Sequence, residues 1–290
     1  MPQHRFKLAP QPPLPVPAAA GYEQTALEWS SPNAEGVTEH RDIAYGPDPR
    51  HQLDIFTAPH LKHAPMLFFW HGGGWSNGYK EYVSFMAANV IQLGFVLVAP
   101  TYRLVPDHKL PAALDDCFAA IDFVCRRAAE FGGRPDQLVL SGHSAGGHLA
   151  TLTALRRHEA IARDLDVSGI KGCMPVSGIM DLHHPAPTPG SLEERVYTTT
   201  LSQDTDDAVM SPLCWAAGNT VPMVLSYGEK DSPRVILSNR RLAAMLALQP
   251  AGSTLRMRAG EDHFQTHLAL NEAGSGWYAD LQAMREGFDA

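Results

Sequence analysis

The chain has 290 residues, 44% of them hydrophobic and 19% charged, with a formal net charge of −8. That length can bury one large α/β core, and the acidic balance argues against a nucleic-acid or anionic-membrane surface. The apolar runs at 65–70 and 95–99 are strand length, far short of a membrane span.

In chain order, the first thirty residues are broken by Pro10, Pro12, Pro13, Pro15 and Pro17. They read as an N-terminal arm, extended over the domain or partly disordered, and not as a signal peptide, which needs an uninterrupted apolar stretch. Strand-like runs follow at 42–45, 52–57, 66–70, 95–99, 138–140, 172–176, 223–227 and 254–258. Several are continuously apolar, as strands buried on both faces should be. The clearest helical pattern covers 111–131. Leu114, Cys117, Phe118, Ile121, Val124 and Cys125 share one face, and Gly132 and Gly133 are its stop. Strands alternating with helices predict an α/β fold with a mostly parallel central sheet and helices on both faces. A stretch from about 180 to 215, rich in proline, histidine and threonine, is too long for an ordinary connection and reads as a lid or mobile loop. Residues 1–290 are expected to form a single domain. Cys117, Cys125, Cys173 and Cys214 form no CxxC pair, which fits reduced thiols and a cytoplasmic setting.

Residues 138–149 run Leu-Val-Leu-Ser-Gly-His-Ser-Ala-Gly-Gly-His-Leu, an apolar strand entering Gly-x-Ser-x-Gly and then a helix. Such a turn lifts Ser144 clear of the sheet in a strained backbone conformation, with Gly142 and Gly146 allowing close packing. A serine hydroxyl needs a base, and that base needs a carboxylate to orient it. In chain order Ser, Asp, His, the sequence offers Asp231 in Gly-Glu-Lys-Asp-Ser-Pro and His263 in Gly-Glu-Asp-His-Phe, each just past a strand. Glu229 is the rival acid; Asp262, adjoining the base, has the wrong geometry. Gly73 and Gly74, in His71-Gly-Gly-Gly-Trp75, together with the Ala145 N–H, are the candidate oxyanion donors. His71 is expected to brace that loop, and Trp75 and His143 are the candidate substrate contacts. His143 and His148 are five apart and His183 and His184 adjacent; none forms His-Glu-x-x-His, so no metal and no cofactor is expected.

His71-Gly-Gly-Gly-Trp75 and Tyr102-Arg-Leu-Val-Pro-Asp-His-Lys-Leu-Pro-Ala-Ala-Leu-Asp-Asp116 resemble the hormone-sensitive-lipase-like esterases of the α/β-hydrolase fold. Gly142-His-Ser-Ala-Gly-Gly-His148, Val176-Ser-Gly-Ile-Met-Asp-Leu182, Gly228-Glu-Lys-Asp-Ser-Pro233 and Asp262-His-Phe264 are similar to kynurenine formamidase (arylformamidase). Both resemblances imply the nucleophile, acid and base roles for Ser144, Asp231 and His263. The expected activity is hydrolysis of a small carboxylic ester or aryl-amide through an acyl-enzyme. N-formylkynurenine hydrolysis is the alternative; an acyltransferase or a non-catalytic ligand receptor is a more distant one. The expected partner is a small-molecule ester or amide, with no nucleic acid and no membrane, and a homodimer is left open.

Overall fold

The computed structural model describes residues 4–14, 16–31 and 33–288. Among them, β1 (Thr38–Ala44), β2 (Gln52–Thr57), β3 (Ala64–Trp70), β4 (Val96–Pro100), β5 (Gly133–His143), β6 (Ile170–Val176), β7 (Met223–Gly228) and β8 (Ser253–Arg258) form one sheet. Its order is β1-β2-β4-β3-β5-β6-β7-β8. The β1–β2 and β2–β4 pairings are antiparallel and the others parallel. All eight expected runs are therefore strands. The fifth begins at Gly133 rather than 138, because polar Arg134, Asp136 and Gln137 hide its first half.

The helices are α1 (Pro17–Ser30), α2 (Ala87–Gln92), α3 (Ala112–Cys125), α4 (Ala145–Leu155), α5 (Arg157–Ile161), α6 (Leu192–Arg195), α7 (Pro233–Leu246), α8 (Gln265–Leu268) and α9 (Gly276–Glu286). They cover both faces of the sheet, so every residue of β3 is buried. All residues of helix α4 are buried, His148, Thr151 and Thr153 included. The expected single helix over 111–131 is shorter than its pattern: α3 stops at Cys125, and a separate 3-10 turn, Ala128–Phe131, ends on Gly132 at φ +74°. The apolar face persists across both pieces, which is why they read as one.

The expected extended arm is corrected more substantially. Residues 4–14 carry no regular element, but Pro17–Ser30 is helical. Residues 1–3 and 15 of that arm, and 289–290 at the far end, lie outside the described residues. Pro17 suits the first helical turn, where no N–H is needed. Ala19, Tyr22, Ala26, Leu27 and Ser30 then recur on one buried face. Tyr22, Ala26 and Leu27 join Tyr82 in a small cluster separate from the main core.

Among the described residues no helix is long and apolar enough to cross a membrane. Cys117, Cys125 and Cys173 are buried and Cys214 exposed, all as free thiols.

The sheet order fixes where a ligand can sit. Strand β3 lies between β4 and β5, so the chain leaves it to opposite sides before and after β4. At such a switch point the loops at the strands' C-terminal ends part and leave a crevice. The loops after β3 and β5 carry Gly72-Gly73-Gly74 and Ser144.

Candidate active site

Ser144 occupies the turn between β5 and α4 with φ +54° and ψ −115°. Its N–H donates to the Val176 carbonyl at 2.9 Å, tying the turn to β6. A Cβ on Gly146 would lie 2.1 Å from the Trp70 carbonyl oxygen, and one on Gly142 would lie 2.6 Å from the Gly146 backbone. The turn thus packs backbone against backbone on β3, and only glycine fits there. Ala145 opens α4, so its N–H is among the unpaired donors at the positive end of that helix.

His263 lies on the loop after β8. The Lys230 N–H donates to the Glu261 carbonyl at 2.9 Å, which joins this loop to the one after β7. Asp262 accepts from the Phe264 and Gln265 N–H groups and so shapes the turn instead of facing its neighbour's ring. The His263 carbonyl receives two bonds, from Thr266 Oγ1 at 2.7 Å and from His143 Nε2 at 2.8 Å.

The ring of His263 bridges two loops. Its Nδ1 is 2.8 Å from Asp231 Oδ1 and its Nε2 is 2.9 Å from Ser144 Oγ. A carboxylate can only accept, so Nδ1 carries the proton and Nε2 is left to accept from the serine hydroxyl. Asp231 is further held by the Ser177 hydroxyl, which donates to Oδ2 at 2.6 Å, and by the Gly228 N–H at 3.2 Å. Burial pushes the Asp231 carboxyl up, but bonds from His263, Ser177 and Gly228 bring it below its ordinary value. The rival acid Glu229 instead accepts from the Gly260 N–H at 2.7 Å, away from the histidine.

Gly73, Gly74 and Trp75 line a cavity of about 250 Å³ together with Ser144 and His263. Gly73 (φ +125°) and Gly74 (φ +59°) both adopt backbone that side chains resist, and a Cβ on Gly73 would meet the Asn77 carbonyl at 2.1 Å. His71 stacks on Tyr102 at 4.5 Å between centroids and reaches Thr101 and the Gly72 carbonyl from full burial. Burial lowers its pKa to about 3, so it braces the loop as a neutral ring. Trp75 donates from Nε1 to His148 Nδ1 at 3.3 Å, which fixes the indole in the wall. His148 in turn donates from Nε2 to the Met210 carbonyl. His143 also lines the cavity, but is 1% exposed and spends Nε2 on the His263 carbonyl. Burial, then the neighbouring His263 and His267, depress its pKa well below the ordinary histidine value.

The structure also brings in residues that the sequence pattern did not single out. Tyr22 of α1 bonds His267 Nδ1 at 2.8 Å and packs on Phe264 and His143. Leu14, Val16, Tyr22 and Glu23 wall the cavity on one side. Leu192, Glu193, Arg195, Val196 and Thr200, from the 180–215 stretch, wall it on another. Ser177 and Thr266 stand behind Asp231 and His263, 2.8 Å apart. Their only sequence signal is a hydroxyl just past a strand and just past the histidine.

A BD-FAE family model matches residues 53–245. The probable isoprenylcysteine alpha-carbonyl methylesterase of Oryza sativa subsp. japonica is 25% identical over 79% of this chain and 58% of its own. Esterase LipQ of Mycobacterium tuberculosis is 29% identical over 77% of this chain and 55% of its own. The chain therefore spans little more than half the length of either relative. Among solved structures, the hyperthermophilic esterase of Pyrobaculum calidifontis superposes with a TM-score of 0.74 at 20% identity, covering 95% of this chain and 93% of that one. This likeness shows the α/β-hydrolase fold.

Proposed function

The chain belongs to the BD-FAE family, and from that premise we propose that it is a serine hydrolase cleaving small carboxylic esters with Ser144 as nucleophile. The observation that carries this reading is the unbroken chain of bonds from Ser144 Oγ through His263 to Asp231. Ser144 Oγ attacks the ester carbonyl carbon while its proton passes to His263 Nε2. The imidazolium formed keeps its Nδ1–H on Asp231, whose carboxylate offsets the new charge. The carbonyl oxygen becomes an oxyanion facing the N–H groups of Gly73, Gly74 and Ala145, the donors this reading assigns. Collapse expels the alcohol, which takes the proton back from Nε2 and leaves an acyl-enzyme. Water repeats the sequence, releasing the acid and restoring Ser144.

The cavity supports a small substrate, since about 250 Å³ is below the roughly 300–1,000 Å³ of sites for drug-sized ligands. The relatives named above are esterases, which favours an ester over an N-formyl aryl amide. Side-by-side kinetics on a short-chain ester and on N-formylkynurenine rank the two, with the ester expected to win in kcat/KM. Ser144→Ala should cost about a thousandfold or more in kcat and abolish labelling by a fluorophosphonate probe. Full turnover by that variant on every substrate the parent cleaves would refute the mechanism.

A further inference from the structure

Arg234, three residues after Asp231, stands in the cavity wall with Ser144 and His263. Its Cα lies no more than about 11 Å from that of Asp231 along the chain. The side chain is 10% exposed, and the acid paired with it, Glu193, lies at 3.7 Å from Nη1, beyond hydrogen-bond reach. Nε and Nη2 are buried and without a hydrogen-bond partner among the described residues. Those two atoms share one edge of the guanidinium plane, the edge that gives a carboxylate two parallel N–H bonds. An ion held out of water with its donors unfilled costs free energy in the folded state. Burial indeed lowers the Arg234 pKa despite Glu193, Asp181 and Tyr197 nearby.

The other charged groups in the wall do not fill this fork. Arg195 adds a second guanidinium, 3.5 Å from Ser76 Oγ. Glu23 is hydrogen-bonded to Tyr82. His184, outside the cavity lining, is lowered by burial and by Arg234 itself, and its Nε2 is likewise buried and without a hydrogen-bond partner among the described residues. A clamp between α7 and the 180–215 stretch would account for the Glu193 contact, but not for an empty pair of parallel donors.

Resting on the hydrolase reading above, we infer that Arg234 is an anion-recognising subsite: the preferred ester carries a second, ionised carboxylate that displaces the side chains closed over the fork and bonds Nε and Nη2. The carboxylate belongs to either the acyl or the alcohol half, and two substrate pairs separate these. Monoethyl glutarate against ethyl glutaramate tests the acyl half; 3-acetoxybenzoate against 3-acetoxybenzamide tests the alcohol half. In one pair the anionic ester should lead its neutral amide by about tenfold or more in kcat/KM, as bonds to a charged group allow. Arg234→Met should bring that ratio close to one, and Arg234→Lys should keep part of it, since a point charge lacks the fork. Glu193→Gln removes the competing carboxylate and should raise the ratio, a test that stands even if Arg234→Met fails to fold. Anionic-to-neutral ratios at or below one in both pairs overturn the subsite, as does a preference that survives Arg234→Met or fails to rise in Glu193→Gln. Ser144→Ala run on the neutral esters separates the two readings. Lost turnover there with no charge preference in the parent sinks the subsite alone, whereas retained turnover sinks the hydrolase.

Discussion

Ser144 and Ser177 each end a central strand with positive φ, +54° and +47°. Side chains resist that backbone at a cost on the order of 1–3 kcal/mol, and it persists where surrounding bonds over-determine it. Here the Ser144 N–H is held by Val176 and the Ser177 N–H by Ser226. Both hydroxyls enter the same chain of bonds, Ser144 at the histidine and Ser177 behind the aspartate. Ser177→Ala should therefore lower kcat by about tenfold to a hundredfold while leaving KM near the parent value, because the bond it deletes goes to an ion. Steady-state kinetics on a short ester read this directly, and an unchanged kcat would remove Ser177 from the positioning network. Ser144, Asp231 and His263 were legible in the sequence because their chain order and strand-end positions constrain one another. Ser177 was not: a lone serine is common, and its partner lies 54 residues away.

At the scale of elements, the turn from β5 into α4 is set by how closely it presses on β3. Gly146→Ala would drive a methyl to within 2.1 Å of the Trp70 carbonyl oxygen, where only backbone could give way. The expected loss is about 3 kcal/mol or more, the upper end for overpacking, measured by urea denaturation. Gly74→Ala makes the contrast, since its Cβ meets only Leu14 Cδ2 at 3.7 Å. It carries just the left-handed penalty, about 1–2 kcal/mol. Equal losses in the two variants would contradict this account. The glycine pattern announced this turn, and continuous apolar runs announced the buried strands. The start of β5 and the whole of α1 stayed hidden for opposite reasons. In β5 polar residues precede the buried half; in α1 five prolines drew attention from the spacing of Ala19, Tyr22, Ala26 and Leu27.

Over the whole molecule, buried histidines couple stability to acidity. Burial lowers His71 and His267 to about 3 and His148 to about 4, and His143 is pushed well below the ordinary value. The unfolded chain takes up these protons near pH 6.5, whereas the folded chain refuses them. Their contribution is complete above that pH and is lost as pH falls from about 6.5 towards 3. Depressed Asp231 and Asp207 add to the loss at lower pH, while Asp54 and Glu23, both raised by burial, oppose it. Tm should decline between pH 6.5 and 5, and His267→Asn should flatten that decline; a level Tm over this range would contradict the sign. The same scale joins segments far apart in the sequence. Tyr22 and His267 are bonded across 245 residues, and Ser144 lies midway between them in the sequence. During synthesis the serine turn and the glycine loop emerge long before His263, the base that the proposed mechanism needs. On the proposed mechanism a nascent chain therefore holds its hydroxyl and glycine loop before it holds a base, and stays chemically silent until His263 has emerged and folded back onto Ser144.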